Sequence, residues 1–306
     1  MNGQVVECVP NFSEGSDLRR VKAIVAAMHV DGVRLLDWSM DADHNRSVVT
    51  LAGEPAAMVE AAVRGVGKAV DLIDLTSQQG VHPRIGAADV IPFVPISGIK
   101  LEHCVLLARQ AGLEIWRRFG VPVFFYEAAA ARPDRANLDD VRSGQFEGLK
   151  EAVRKEVARR PDLGGPGLHP TAGACAVGAR KFLVAYNIYF DSTDVAMARA
   201  IAREIRAASG GMKGLKAIGV LAHGRAQLSM NITDFEATPI SQVHHKVVSL
   251  AARHKTKVTE GEVIGLIPEA ACERESEWMR QLVGFDPETK ILERRLTQPL
   301  EWPVDR

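Results

Sequence analysis

Val81-His82-Pro83-Arg84-Ile85-Gly86-Ala87 places an imidazole, a guanidinium and a flexible backbone position within five residues, from His82 to Gly86. Such a loop can supply a proton carrier and an anion clamp together. Pro83 pushes His82 out of helical geometry and restrains it, which suits a side chain that must be aimed. Imidazole is the one side chain whose ordinary pKa lies near neutrality, so it can give or take a proton there. A loop histidine bonded to nearby backbone is the bland alternative.

Asp43-His44-Asn45-Arg46-Ser47 gathers an acid, a base, an amide and a hydroxyl in front of an apolar run. Arg46 could take a carboxylate in a bidentate fork, and Asn45 offers both a donor and an acceptor. An Asx-type turn into the next strand explains the same residues. Asn11-Phe12-Ser13-Glu14-Gly15 opens the first helix without the glycine spacing of a dinucleotide or phosphate loop, and capping by Ser13, Ser16 or Asp17 is its better explanation. Two further stretches combine glycine with basic residues: Gly173 to Asn187, with Arg180-Lys181, and Gly210 to Lys216, with Lys213. Each reads equally as a solvated turn. His244 and His245 are adjacent on a helical segment, point to different faces and make poor metal ligands, so they and His254 read as surface or packing residues. No metal site and no redox cofactor are expected.

Positioning these groups requires strands and helices in alternation. Val5–Val9, Val33–Asp37, Val48–Ala52, Val90–Ile96 and Val121–Tyr126 read as strands in the first half, with helices over Leu18–Met28, Pro55–Ala69, Leu101–Phe119 and Gly148–Arg159, the last solvated. Residues Ser39 to Arg46 read as a polar loop, and Pro92 and Pro95 argue for an edge position or a bulge. Residues 161–170 carry three prolines and three glycines and separate two halves. The second half reads as strands at Phe182–Tyr189, Leu215–Ala222, Gln227–Ile232 and Val263–Ile267, with helices at Thr193–Arg206, Ile240–His254 and Glu269–Val283. The fold class is α/β of the α+β type. Two sandwich-like subdomains are expected, 1–178 and 179–306, each a mostly antiparallel or mixed sheet with helices packed on it, and a substrate cleft between them.

Lys+Arg and Asp+Glu both number 38 in 306 residues, so no long-range field favours nucleic acid or an anionic membrane. The N-terminus lacks a secretory pattern, no apolar run is long enough to span a bilayer, and Cys8, Cys104, Cys175 and Cys272 show no metal or disulfide spacing. A cytoplasmic protein acting on small molecules is expected. A homodimer is admitted, but the sequence does not fix the oligomeric state.

Val6 to Gly15, Asn45-Arg46, His82 to Asp89, Val121-Pro122-Val123 and Gly178 to Phe182 occur in the order and approximate spacing of the glutamate formimidoyltransferase family, which the chain resembles up to about residue 270. The resemblance implies transfer of a formimino group from N-formimino-L-glutamate to tetrahydrofolate as co-substrate, with L-glutamate released, in histidine degradation. It matches His82 to the family's catalytic histidine. A carboxylate of vertebrate members is replaced here by Ser39, which passes that role to Asp41 or Asp43. Asn45, Arg46, Arg84, Gly86 and Arg180 become candidates for holding substrate. The folate-contacting segments fall on Gly164, Gly165, Pro166, Gly167, Leu168, His169, Pro170, Thr171, Ala172 and Gly173, and on Lys213, Gly214, Lys216 and Gly219. The chain stops near residue 306 without the cyclodeaminase domain of the vertebrate bifunctional protein, so a stand-alone form without channelling inside one chain is expected. A formyl or other one-carbon transferase using 5-formyltetrahydrofolate and glutamate, and a folate-binding protein without catalysis, are the competing readings.

Overall fold

A computed structural model describes residues 3–273 and 276–303. The chain forms two compact units, Met1–Arg180 with Pro299–Arg306, and Lys181–Gln298.

The first unit runs β1 (Val5–Cys8), β2 (Asn11–Phe12), α1 (Leu18–Ala27), β3 (Val33–Asp41), β4 (Arg46–Gly53), α2 (Pro55–Leu72), β5 (Ala88–Ser97), α3 (Leu101–Phe119), β6 (Val123–Glu127), α4 (Leu138–Val141), α5 (Gln145–Lys155) and β7 (Cys175–Ala179). Its seven strands form one mixed sheet. β1 and β2 are two pieces of one line, antiparallel to β4 on one side and β5 on the other. The line breaks at Val9-Pro10, facing Pro92 of β5, because proline brings no N–H to a ladder. Pro92 and Pro95 therefore lie in an interior strand with register shifts along it, rather than at an edge. Beyond β5 the sheet continues in parallel through β7 to β6.

Alternation along the strands sends Val6, Cys8, Phe12, Val49, Leu51, Phe125 and Val177 to one face, where they pack with Val21 and Ile24 of α1, Met58 and Val63 of α2, and Cys104 and Ile115 of α3. α3 stops at Gly120, whose φ of 63° is the left-handed conformation that glycine adopts without strain. On the opposite face, α4 and α5 cover Val90, Phe124, Tyr126 and Ala176 through Val141, Leu149 and Val153. α5 starts earlier than its composition suggests, and this apolar stripe makes it a packed helix rather than a solvated one. By the same alternation Glu7, Asn11 and Arg46 belong to this second face.

The second unit holds β8 (Val184–Phe190), α6 (Val195–Ile205), β9 (Leu215–Ala222), β10 (Arg225–Ile232), α7 (Ile240–Arg253) and β11 (Val258–Ile264). Its four strands are antiparallel in the order β11-β8-β10-β9. Tyr186, Ile188, Leu228 and Met230 pack against Ile201 of α6 and Val243 and Val247 of α7. The architecture is thus a mixed sheet and an antiparallel sheet, each carrying helices.

Further segments depart from the sequence reading, among them β11, which runs Val258–Ile264 where a strand is expected at Val263–Ile267. The glycine- and proline-rich loop at 161–170 does not separate the units, because β7 follows it and completes the first sheet. β7 is not apparent from the sequence: Cys175-Ala176-Val177-Gly178-Ala179 is built mostly of small residues, which suit an interior strand packed on both faces but carry a single β-branched side chain. The stretch from Glu269 is not one helix: a turn over Glu269–Ala271 and a short helix over Glu277–Arg280 are separate, and residues 274 and 275 lie outside the described residues. The chain returns to the first unit at its end, where Leu300 N–H donates to Leu35 O and Trp302 stacks on His29. No helix among the described residues is long and apolar enough to cross a membrane.

Candidate active site

β3 and β4 are both longer than their apolar cores, so Ser39, Met40 and Asp41 lie in β3, and only Ala42 to Asn45 turn the chain. Asp41 pairs with Arg46 across the hairpin, and its Oδ1 accepts from His44 N–H at 2.8 Å. Asn45 takes the left-handed conformation, with φ 46°, that the tight turn demands. Its amide is consumed in bracing that turn: Oδ1 accepts from Gly15 N–H at 2.9 Å, and Nδ2 donates to Gln79 O at 2.6 Å.

The His82 loop is tied to this hairpin by Val81 N–H to Asp43 O at 3.2 Å and by Gln78 Nε2 to Asn45 O at 2.9 Å. Gly80 has no room for a side chain, since a Cβ would stand 2.4 Å from His44 O. On its other side the loop is stitched to the segment before β7. Ala174 N–H donates to Ile85 O, Ala87 N–H donates to Ala172 O, and a Cβ on Gly86 would fall 2.0 Å from Ala174 O. Hairpin, loop and the residues 171–174 form one backbone-bonded block within the first unit.

Half-buried His82 directs Nδ1 at Pro83 O, 2.9 Å away. A carbonyl oxygen can only accept, so Nδ1 bears the hydrogen and Nε2 carries the free lone pair. Burial, and then the charges of Arg46 and Arg142, hold the imidazole well below its ordinary pKa, against a smaller opposing effect of the Pro83 bond. His82 is therefore neutral at pH 7 and presents a base. The His44 ring lies 5.9 Å from it, centroid to centroid.

Asp89, fully buried, organises the cations. Oδ2 accepts from Arg46 Nη1 at 2.9 Å and from Arg142, while Oδ1 accepts from Ile85 N–H at 2.8 Å. Burial works against this charge, but Arg142 and Arg46 together with the Ile85 bond hold the carboxyl below the usual carboxylate range. Arg46 Nε also donates to Asn11 Oδ1 at 2.9 Å, and burial with the neighbouring Arg142 pushes its pKa down to about 10, which leaves it charged. Two guanidiniums thus share one carboxylate beside a neutral imidazole. Arg142 sits at the end of α4, in a segment that carries no motif, and nothing in the sequence marks it.

Arg84 is differently employed. Both its Nη atoms bond Glu147 of α5, at 3.0 and 2.8 Å, while Nε and Nη2 bond Gln78. This guanidinium anchors the loop to α5 and has its fork filled by protein. Arg180 follows β7, with its N–H on Phe93 O and its side chain bonded to Tyr126. Among the segments read as folate-contacting, His169 accepts from Ala172 N–H at 3.0 Å, and Gly164 leaves space for the Trp116 ring. Lys213, Gly214, Lys216 and Gly219 belong to the second unit, where Gly219 admits the backbone of α6 at Arg199. His244 is a packing residue bonded to Tyr186 at 3.0 Å, and no group of potential metal ligands occurs among the described residues.

Glu7 on β1 is buried, and its Oε2 has no hydrogen-bond partner among the described residues. Burial pushes its pKa up to about 8, with Arg180 acting in the other direction. The folded chain therefore keeps a proton that the unfolded chain releases above about pH 4.5. Stability attributable to this group is full below that pH and is lost as pH rises toward 8, with a slope of up to roughly 1.4 kcal/mol per pH unit. Glu7→Gln is expected to become progressively more stable than the parent chain between pH 5 and pH 8 in urea melts; an offset independent of pH would contradict the buried-acid reading.

Two family models cover this architecture: one described as the formiminotransferase domain, N-terminal subdomain, over residues 5–180, and one described as the formiminotransferase domain, over residues 185–291. The chain belongs to the formiminotransferase family. It is similar to a protein of Streptococcus pyogenes serotype M1 named glutamate formimidoyltransferase, with 45% identity covering 96% of this chain and 99% of the relative. A protein of the same name from Thermoplasma acidophilum is 43% identical over 95% of this chain and 97% of its own length. The formimidoyltransferase-cyclodeaminase of Gallus gallus is 39% identical over 88% of this chain, which spans 51% of that longer protein.

Proposed function

We propose that this chain transfers the formimino group of N-formimino-L-glutamate to N5 of tetrahydrofolate, releasing L-glutamate and 5-formiminotetrahydrofolate, as a step of histidine degradation. The observation that carries the mechanism is the bond of His82 Nδ1 to Pro83 O, which leaves Nε2 as the basic nitrogen of the ring. N5 attacks the amidine carbon and forms the new C–N bond. His82 Nε2 takes the proton that N5 must lose. The same proton then goes to the glutamate nitrogen as its bond to carbon breaks and the formimino double bond re-forms. An imidazolium formed next to Arg46 and Arg142 is a strong acid, which favours this second transfer.

Asp41 is the better candidate for stabilising the cationic formimino group. It lies two residues along β3 from Ser39, hence on the same strand face, and directly across from Arg46. Asp43 belongs to the turn, where its carbonyl holds Val81. Holding donor and acceptor together can contribute roughly 7–11 kcal/mol, more than proton transfer alone. Both substrates are small molecules taken from the cytoplasm, with the four cysteines kept as thiols.

Incubating the chain with tetrahydrofolate and, in turn, N-formimino-L-glutamate, N-formyl-L-glutamate and N-formiminoglycine tests this reading. Stoichiometric glutamate and 5-formiminotetrahydrofolate from the first donor, and little turnover of the others, are expected. Preference for the formyl donor would assign formyl transfer instead. Folate binding without product over long incubation would make the chain a binding protein.

A further inference from the structure

We propose that Arg142 reads the α-carboxylate of the glutamyl donor, so that the Arg46–Asp89–Arg142 cluster, and not Arg84, discriminates the donor beside His82. The inference rests on the formimino-transfer reading and adds a residue to it.

Arg142 and Arg46 meet on a single oxygen of Asp89, which itself spends its other oxygen on Ile85 N–H. One buried carboxylate therefore balances two buried guanidiniums. The surplus positive charge lies against the loop that carries His82, which Asp89 holds through Ile85 N–H. Arg142 is nine-tenths buried, and its Nε finds no hydrogen-bond acceptor among the described residues. A buried N–H left unpaired is costly and calls for an acceptor. Arg46, by contrast, has Nε on Asn11 and Nη1 on Asp89. Arg84 has its fork closed by Glu147 and Gln78.

The donor's chemistry fits that N–H. Its leaving nitrogen must lie against His82 Nε2 to receive the proton. The α-carboxylate is attached to the carbon that bears this nitrogen, so it too lies beside the ring. The guanidiniums are held beside the His82 loop, because the Asp89 carboxylate they share also accepts from Ile85 N–H. A carboxylate accepting from Arg142 would satisfy the orphan donor and offset the surplus charge in one contact.

The test compares kcat/KM for N-formimino-L-glutamate with that for N-formimino-4-aminobutanoate, the same donor without its α-carboxylate, at saturating tetrahydrofolate. The parent enzyme is expected to favour the first by roughly 10- to 100-fold, the worth of a charge-assisted hydrogen bond. In Arg142→Gln that ratio collapses to a few-fold, through a raised KM for the glutamyl donor, while KM for tetrahydrofolate is kept. If circular dichroism shows Arg142→Gln unfolded, Arg142→Lys decides, because it keeps a cation on Asp89 and lacks the Nε donor; the ratio is again expected to fall. An unchanged ratio with equal losses on both donors would reduce Arg142 to a prop for Asp89 and overturn the proposal. So would a parent enzyme indifferent to the α-carboxylate. No turnover of N-formimino-L-glutamate by the parent enzyme would instead remove the formimino reading itself.

Discussion

His82→Ala is expected to lower kcat by roughly 10²–10⁴-fold while tetrahydrofolate binding survives. The magnitude follows from the role. A positioned base and acid speeds proton transfer within a bound complex, and its removal leaves binding and alignment of the two substrates in place. The ring also contributes little to the scaffold: among the described residues it bonds only the carbonyl of the next residue, whereas the loop is fastened through the backbone of Val81, Ile85 and Ala87. Steady-state rates alongside a direct folate-binding titration separate the effects. Parallel loss of binding and turnover would mean that His82 holds the loop or the ligand rather than moving a proton.

Asp89→Asn is expected to be the most damaging single change to stability, costing about 3–5 kcal/mol. An amide offers one acceptor oxygen where the carboxylate presents two, so Arg46, Arg142 and Ile85 N–H can no longer all be satisfied. Two buried guanidiniums would lose their counter-charge. The pH dependence supplies a second signature. A carboxyl held below its usual range contributes stability that is complete above the unfolded value, about 3.9, and is lost as pH falls through the lower folded value. The parent chain should therefore lose stability below about pH 4 more steeply than the variant. Urea melts at pH 7 and at acid pH measure both. A loss of less than about 1 kcal/mol at pH 7 would show the cluster to behave as an exposed ion pair.

Much of the fold was legible where periodicity and burial agree. Leu101–Phe119 has a helical apolar stripe ended by a glycine, and Leu215–Ala222 reads as a strand at the bounds the structure gives. β7 was not legible, because its burial is achieved with alanine and glycine. The ends of β3 and β4 carry a loop signal because Ser39, Asp41 and Arg46 are polar, yet polar residues at a strand end are what a site on the sheet requires. The return of Leu300 to Leu35 spans most of the chain and leaves no local trace.

The candidate site divides along the same line. His82, Arg46 and the hairpin stand in compact motifs, and the structure brings them into one block. Asn45 and Arg84 belong to the same motifs, but their polar groups are occupied by Gly15, Gln79, Gln78 and Glu147, partners that no spacing announces. Arg142 reaches Asp89 from 53 residues away, so only the fold makes it a neighbour of His82.

The most direct measurement is the nitrogen-15 NMR titration of histidine-labelled protein, with the His82 signals identified by their loss in His82→Gln. A neutral ring, protonated at Nδ1 and bare at Nε2, persisting from neutral pH to below the ordinary histidine value of about 6.5 is the predicted result. A ring already protonated near pH 7, or a hydrogen on Nε2, would deprive the transfer of its base and contradict the mechanism.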